Sequence, residues 1–237
     1  MNKLRFFLIL AIVITAWFVA GDRIVYEFGK VQYISPCFNF GSTVKLWRQR
    51  EDKLYVLGNG VYLGNNIILT NSHLADKSLS IITTFGVDTE TLVLKIVTHP
   101  DLDLAILVLN KELNLPPAKL ANNLSPVSAS PYTIAVFENS QIFTLFAGNY
   151  LSLENFDQFL IQHNPETLII FNNFASKDGY SGGALLDSNC RLIGLVVGGN
   201  RSAIWGLKPK SFYVNLTNEE TRKWLFENIV LSESIGR

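Results

Sequence analysis

Between residues 38 and 109 the chain reads as short apolar runs separated by turn signals: STVKLW, YVLGNGVYL, NIILT, SLSIITTF, TLVLKIV and DLAILVL. Runs of this length, rich in β-branched residues and bounded by Gly, Asn and Asp, predict strands rather than helices. Their number and spacing predict a small antiparallel barrel over about residues 36–115. Residues 110–131, NKELNLPPAKLANNLSPVSASP, break the pattern with four prolines and many small polar residues, and predict a linker. A second set comes next, YTIAVF, QIFTLFAG, TLIIFN, ALLDSN, RLIGLVV and SAIWGL, and predicts a second barrel over about residues 131–216. The last pattern has another period. In TNEETRKWLFENI, residues 217–229, Thr217 or Asn218 can cap a helix, Glu219 and Glu220 suit its positive end, and Trp224, Leu225 and Ile229 form an apolar stripe. The expected fold is therefore all-β, two antiparallel six-stranded β-barrels with a short C-terminal helix, in a body covering residues 36–229. No internal repeat is visible.

Composition agrees with this reading. A chain of 237 residues that is 48% hydrophobic can fill one large or two small cores. Sixteen Phe and eight Tyr in short runs favour half-buried sheets. Twenty basic and twenty acidic side chains with no basic cluster argue against a nucleic-acid partner. Residues 1–21 stand apart, with Lys3 and Arg5 ahead of an apolar run from Phe6 to Gly21. As a helix that run would span about 24 Å, short of the roughly 30 Å hydrocarbon layer. It reads as a signal peptide cleaved before Asp22, with an uncleaved membrane anchor through residues 6–21 as the alternative. Either way the body is expected to be exported, to a bacterial periplasm or beyond the cell. Export permits a disulfide, and Cys37 and Cys190 have no metal-like spacing, which leaves one bridge or two buried thiols.

Candidate chemistry centres on residues 178–199, DGYSGGALLDSNCRLIGLVVGG, where glycines flank Ser181 between apolar runs. A serine hydroxyl needs a base, an orienter for that base and donors for the developing oxyanion. Gly179, Gly182 and Gly183 suit a place where a substrate carbonyl approaches the main chain. The GYSGG match to the α/β-hydrolase elbow fails, because that arrangement needs a histidine after the serine. All three histidines, His73, His99 and His163, precede Ser181. A base-first order remains. Two upstream segments fit it, each with a polar residue at the end of an apolar run: residues 58–76 with His73, and residues 99–109 with Asp103.

TNSHL, DLDLAIL and DGYSGGALL, in this order, resemble the signature blocks of trypsin-like serine peptidases, and most closely those of the bacterial HtrA/Deg branch. The resemblance implies the trypsin-like fold and a serine endopeptidase with no cofactor and no metal, acting on polypeptides through an acyl-enzyme. It implies His73 as general base and acid, Asp103 as the residue that orients its ring, and Ser181 as nucleophile. The amides of Gly179 and Ser181 are the implied oxyanion hole. A substrate pocket is implied with its floor at Ala175 and Ser176, one wall at Val197, Gly198, Gly199 and Asn200, and its far side at Trp205 and Gly206. No acidic residue stands near that floor, so a neutral small or medium apolar side chain before the scissile bond is expected.

Asp101 competes with Asp103, but the resemblance puts the acid directly before LAIL. His99 reads as structural, with Asp101 as a candidate packing partner, and His163 as a loop residue. Arg23, Ile24 and Val25 resemble the activation site of pancreatic-type zymogens, yet Tyr180 occupies the place of the acid that would receive the new amine. A buried ammonium without a counter-ion is costly, so activity should need no cut after Arg23. No PDZ module is expected after residue 229. Two other classes fit the same residues: an exported esterase using the same three groups, and a binding protein on a peptidase fold. Nothing in the sequence fixes the oligomeric state.

Overall fold

The computed structural model describes residues 37, 40–50, 53–75, 79–84, 91–122, 132–138, 141–147, 150–151, 168–172, 176, 178–200 and 210–233. Residues 1–21, Arg23 to Val25, His163, Ala175, Trp205 and Gly206 lie outside them, as does the run SAIWGL.

Strands β1 (Thr43–Arg50), β2 (Lys53–Gly64), β3 (Ile67–Thr70), β4 (Leu79–Thr84), β5 (Val93–Thr98) and β6 (Ala105–Leu109) form one antiparallel sheet in the order β4-β1-β2-β3-β6-β5. The strands at the two ends of that order, β4 and β5, also approach each other, so the sheet curls toward closure. Asn65 and Asn66 link β2 to β3 with φ of 47° and 56°. Two positive φ angles in a two-residue connection match the right-handed twist of the flanking strands.

The second antiparallel sheet holds β7 (Tyr132–Glu138), β8 (Gln141–Ala147), β9 (Tyr150–Leu151), β10 (Leu168–Asn172), β11 (Ala184–Leu186), β12 (Leu192–Asn200) and β13 (Lys210–Asn215), in the order β8-β7-β11-β12-β13-β10-β9. Among the described residues this sheet thus has seven strands, with the short β9 added at one edge. Its β13, KSFYVN, is a strand that the apolar pattern did not mark; Ser211, Tyr213 and Val214 are buried there. One helix comes after it, α1 (Glu219–Glu233), starting two residues later and ending four residues later than the expected 217–229. Asn218 is its cap, the side-chain oxygen accepting from Thr221 N at 3.2 Å.

The period-two pattern explains why β3 and β6 are apolar throughout. Ile67, Leu69, Ile106 and Val108 enter a core shared with Ala184, Leu186, Leu192, Leu195 and Val214 of the second sheet and with Leu225 of α1. Their alternate neighbours Ile68, Leu107 and Leu109 join Val44, Leu46, Tyr62 and Leu74 in a separate core inside the first sheet. Both faces of these strands are buried, so neither carries polar residues except at its ends. The described part of the expected linker docks on the second sheet, where Leu192 N donates to Lys119 O at 2.7 Å and Ala121 N to Leu192 O at 2.9 Å. Arg222 of α1 ties it down by donating to the carbonyls of Ala121 and Asn122.

Cys37 and Cys190 are joined in a disulfide with a Cα–Cα distance of 5.3 Å. It clips the start of the body onto the tight turn between β11 and β12. Asp187 organises that turn: its carboxylate accepts from the amides of Asn189 and Arg191 at 2.9 Å each and pairs with the Arg191 guanidinium at 2.7 Å.

Candidate active site

Register brings the first two candidate residues together. Thr70, the last residue of β3, lies opposite Ala105, the first of β6. His73 follows β3 in a 3₁₀ turn, Ser72–Leu74, and Asp103 stands two residues ahead of β6, so both leave the same end of neighbouring strands. Asp103 Oδ2 is 2.7 Å from His73 Nδ1. The other oxygen, Oδ1, accepts from His73 N at 3.0 Å and from Ser72 Oγ at 2.8 Å. Asn71 Nδ2 holds the Asp103 carbonyl at 2.9 Å. With both carboxylate oxygens occupied, the imidazole is gripped at Nδ1 and its Nε2 faces away from the acid. Burial alone would raise the Asp103 pKa, but the His73 hydrogen bonds, the attraction of its ring and the Ser72 hydroxyl together hold it below 3.8. The carboxyl is therefore ionised throughout the neutral range. The histidine side chain is 46% exposed and the acid 17%, so the pair opens to solvent on the imidazole side.

Ser181 comes from the second sheet, in the turn before β11. Gly179 and Gly182 have φ of +88° and +77°, a region closed to most side chains. The peptide between Ser181 and Gly182 is fixed from both sides: Ser181 O accepts from Asn59 N of β2, and Gly182 N donates to Val196 O of β12, each at 2.8 Å. Among the described residues neither Gly179 N nor Ser181 N donates to another group. The serine hydroxyl donates to Val197 O at 3.1 Å, and among the described residues no hydrogen bond joins it to His73. That bond to a main-chain carbonyl could not be expected from the sequence, which carries no signal for it.

The family model of the Trypsin-like peptidase domain matches residues 58–195. The chain belongs to this family. The matched span contains His73, Asp103 and Ser181. This trypsin-like domain is also 29% identical over 155 residues to a protein of Buchnera aphidicola subsp. Baizongia pistaciae (strain Bp) described as a probable periplasmic serine endoprotease DegP-like. The match covers 62% of this chain and 31% of that relative, so the chain spans under a third of the relative's length. Among solved structures, the Vibrio cholerae VesB protease superposes with a TM-score of 0.59 at 19% identity, over 80% of this chain and 64% of that one. Neuropsin, a serine protease of mouse brain, gives 0.60 at 15% identity, over 80% and 94%. These two likenesses show the fold, the two-sheet trypsin-like architecture with a C-terminal helix.

The other candidate residues of the trypsin-like domain have plainer surroundings. Ser176 is buried, and its amide donates to Ser211 Oγ of β13 at 2.8 Å. Val197, Gly198 and Gly199 lie on β12, the first two half-buried and the third exposed, with open space where a side chain at Gly198 would point. His99 is structural: its Nδ1 accepts from the amides of Asp101 and Leu102 at 3.1 Å each, and its ring packs 4.8 Å from that of Trp224. His99 thus meets Asp101 through the backbone. Tyr180, which stands where an activating acid would be needed, is 4% exposed.

Proposed function

We propose that this trypsin-like domain is a serine endopeptidase in which His73, Asp103 and Ser181 act as a triad. The observation that carries the reading is the double grip of Asp103 on the 3₁₀ turn, one oxygen on the His73 ring and the other on its amide and on Ser72. An imidazole held with Nδ1–H toward a carboxylate keeps its lone pair on Nε2, the tautomer a general base requires.

In the proposed reaction the Ser181 hydroxyl leaves Val197 O and turns to His73 Nε2. As Oγ attacks the scissile carbonyl carbon, its proton passes to Nε2 and Asp103 stabilises the imidazolium. The carbonyl oxygen becomes an oxyanion facing the amides of Gly179 and Ser181. Collapse breaks the C–N bond, His73 returns the proton to the leaving amine, and the acyl group stays on Ser181. Water, deprotonated by the same Nε2, then attacks the acyl ester and releases the acid. The pocket is proposed at Ser176 with Val197, Gly198 and Gly199, on a neutral floor that favours uncharged side chains. Export is part of the reading. It is supported by the Cys37–Cys190 bridge, a bond of oxidising compartments, and by a relative described as periplasmic.

The test is a panel of fluorescent casein and simple carboxylic esters given to wild type and Ser181→Ala. Casein hydrolysis that vanishes in the variant supports the reading. Ester turnover without casein hydrolysis contradicts it, as does undiminished proteolysis by Ser181→Ala.

A further inference from the structure

Asn59 is fully buried in the middle of β2, a polar side chain inside a strand of the first sheet that reaches into the second. Its Nδ2 donates to Gly179 O at 2.7 Å and lies 3.5 Å from Ser181 O. Its own amide donates to Ser181 O at 2.8 Å. Its carbonyl accepts from Thr70 Oγ1 at 2.7 Å, and Thr70 closes the strand that leads to His73. One residue thus binds the strand before the histidine and both carbonyls that flank Tyr180 and Ser181. The fit is tight on every side. A methyl group on Gly182 would stand 1.9 Å from Asn59 O, and one on Gly58 would stand 2.8 Å from Ser181 O.

We propose that Asn59 is a positioning residue for catalysis, whose side-chain amide sets the loop that carries Ser181. The inference rests on the serine-peptidase reading and goes beyond it. A peptide unit joins the C=O of one residue to the N–H of the next, so fixing the carbonyls of Gly179 and Ser181 fixes the planes that run on to Tyr180 N and Gly182 N. With the carbonyls of Gly179 and Ser181 drawn to Asn59, the loop cannot rotate those planes without breaking hydrogen bonds to a fully buried residue. The Tyr180–Ser181 peptide lies between these two planes, its carbonyl accepting from Gly183 N at 2.9 Å, so Ser181 N–H, and Gly179 N–H just ahead of the first plane, are held in place for the substrate. Such preorganised donors are what transition-state charge needs. Asn59 touches no reacting atom. It acts through the loop.

The role requires a donor at Nδ2, and this separates it from packing. Asn59→Asp keeps the volume but turns a carboxylate oxygen toward two carbonyls. Asn59→Ala removes the donor and leaves the backbone bond from Asn59 N to Ser181 O. The assay is inactivation by a fluorophosphonate, resolved into its saturating rate and half-saturating concentration, with the rate expressed per folded molecule by near-UV circular dichroism. Asn59→Ala should lower the saturating rate by about 100-fold, the scale of a small misplacement of catalytic groups. Its half-saturating concentration should stay within about two-fold, since the misplaced groups act in the transition state. Asn59→Asp should be slower than Asn59→Ala, whereas a packing role would make the isosteric variant the faster. A rate for Asn59→Ala within two-fold of wild type, or Asn59→Asp faster than Asn59→Ala, overturns the proposal. Should neither variant fold, Thr70→Val, which removes only the hydroxyl on Asn59 O, decides in their place: a slower saturating rate supports the role and an unchanged one overturns it. Wild type that is not labelled at Ser181 would overturn the peptidase reading and this proposal together; labelled wild type with unimpaired Asn59→Ala overturns this proposal alone.

Discussion

Replacing Asp103 by Asn removes a charge while keeping the shape, and the local geometry decides which tautomer His73 then adopts. In the native site one oxygen faces the His73 ring and the other faces two donors, His73 N and Ser72 Oγ. An asparagine has one oxygen and one NH₂ group for these places. If its oxygen stays with the two donors, the NH₂ group faces Nδ1, which must then accept, and the ring proton moves to Nε2. If the amide flips, NH₂ confronts two donors inside a half-buried loop. The first arrangement loses less, so the histidine takes the tautomer that cannot accept the serine proton. The fold should survive, because Asn71 Nδ2 holds the backbone carbonyl of residue 103 and not its side chain. Turnover should fall by about four orders of magnitude, which at about 1.4 kcal/mol per factor of ten is about 5.5 kcal/mol of lost transition-state stabilisation. Asp101→Asn should remain within about three-fold of wild type, since only the backbone of Asp101 engages His99. The assay is kcat/KM on fluorescent casein at pH 7 to 8, with circular dichroism to confirm folding. A folded Asp103→Asn retaining more than a tenth of the activity, or an Asp101→Asn that is the more damaged, would refute the assignment of the acid.

Asp103 also predicts a pH effect on stability. Its folded pKa is depressed, so its contribution is complete above the unfolded value of 3.8 and is lost as pH falls through the folded one. The gap in urea midpoint between wild type and Asp103→Asn should therefore shrink on acidification below about pH 4; a gap constant from pH 7 to pH 3 contradicts the hydrogen-bonded carboxylate. Removing the disulfide as Cys37→Ser with Cys190→Ser should cost about 2 to 4 kcal/mol in chemical denaturation, and an unchanged midpoint would show that the bridge constrains nothing. Gly182→Ala should give protein that is unfolded or inactive, because the added methyl meets the Asn59 backbone at 1.9 Å at a φ of +77°. Wild-type labelling by a fluorophosphonate in that variant would contradict the close approach.

Much of the fold was legible because burial on one or both faces writes itself as period two. Every one of the six apolar runs before residue 110 overlaps a strand of the first sheet. The second sheet was less legible at its end. SAIWGL attracts attention as an apolar run, while KSFYVN begins with Lys and Ser, yet Ser211 is buried with its hydroxyl bound to Ser176 N. A small polar residue satisfied by a distant amide carries no hydropathy signal. The pairing of His73 with Asp103 was expected from the resemblance of TNSHL and DLDLAIL to the family's signature blocks, and the register of β3 with β6 brings the two side chains together. The bond from Ser181 to Val197 was not expected, since it depends on how two sheets dock. Asn59 was missed for a different reason: YVLGNGVYL reads as one strand, as β2 from Lys53 to Gly64 is, but nothing in it shows that its one Asn is buried against the second sheet. The glycines are there for space, with Leu74 and Ser181 crowding one and Ile68 the other.

The central claim is that Ser181 is a nucleophile activated by His73, and the most direct measurement is the site and rate of covalent modification by a fluorophosphonate. Peptide mass spectrometry should place the adduct on Ser181 in wild type. The adduct should be absent in Ser181→Ala and formed thousands of times more slowly in His73→Ala, and in proteolysis the double variant should be scarcely worse than either single one, as members of one catalytic unit require. An adduct on another residue, or His73→Ala labelled at the wild-type rate in a folded protein, would contradict the claim.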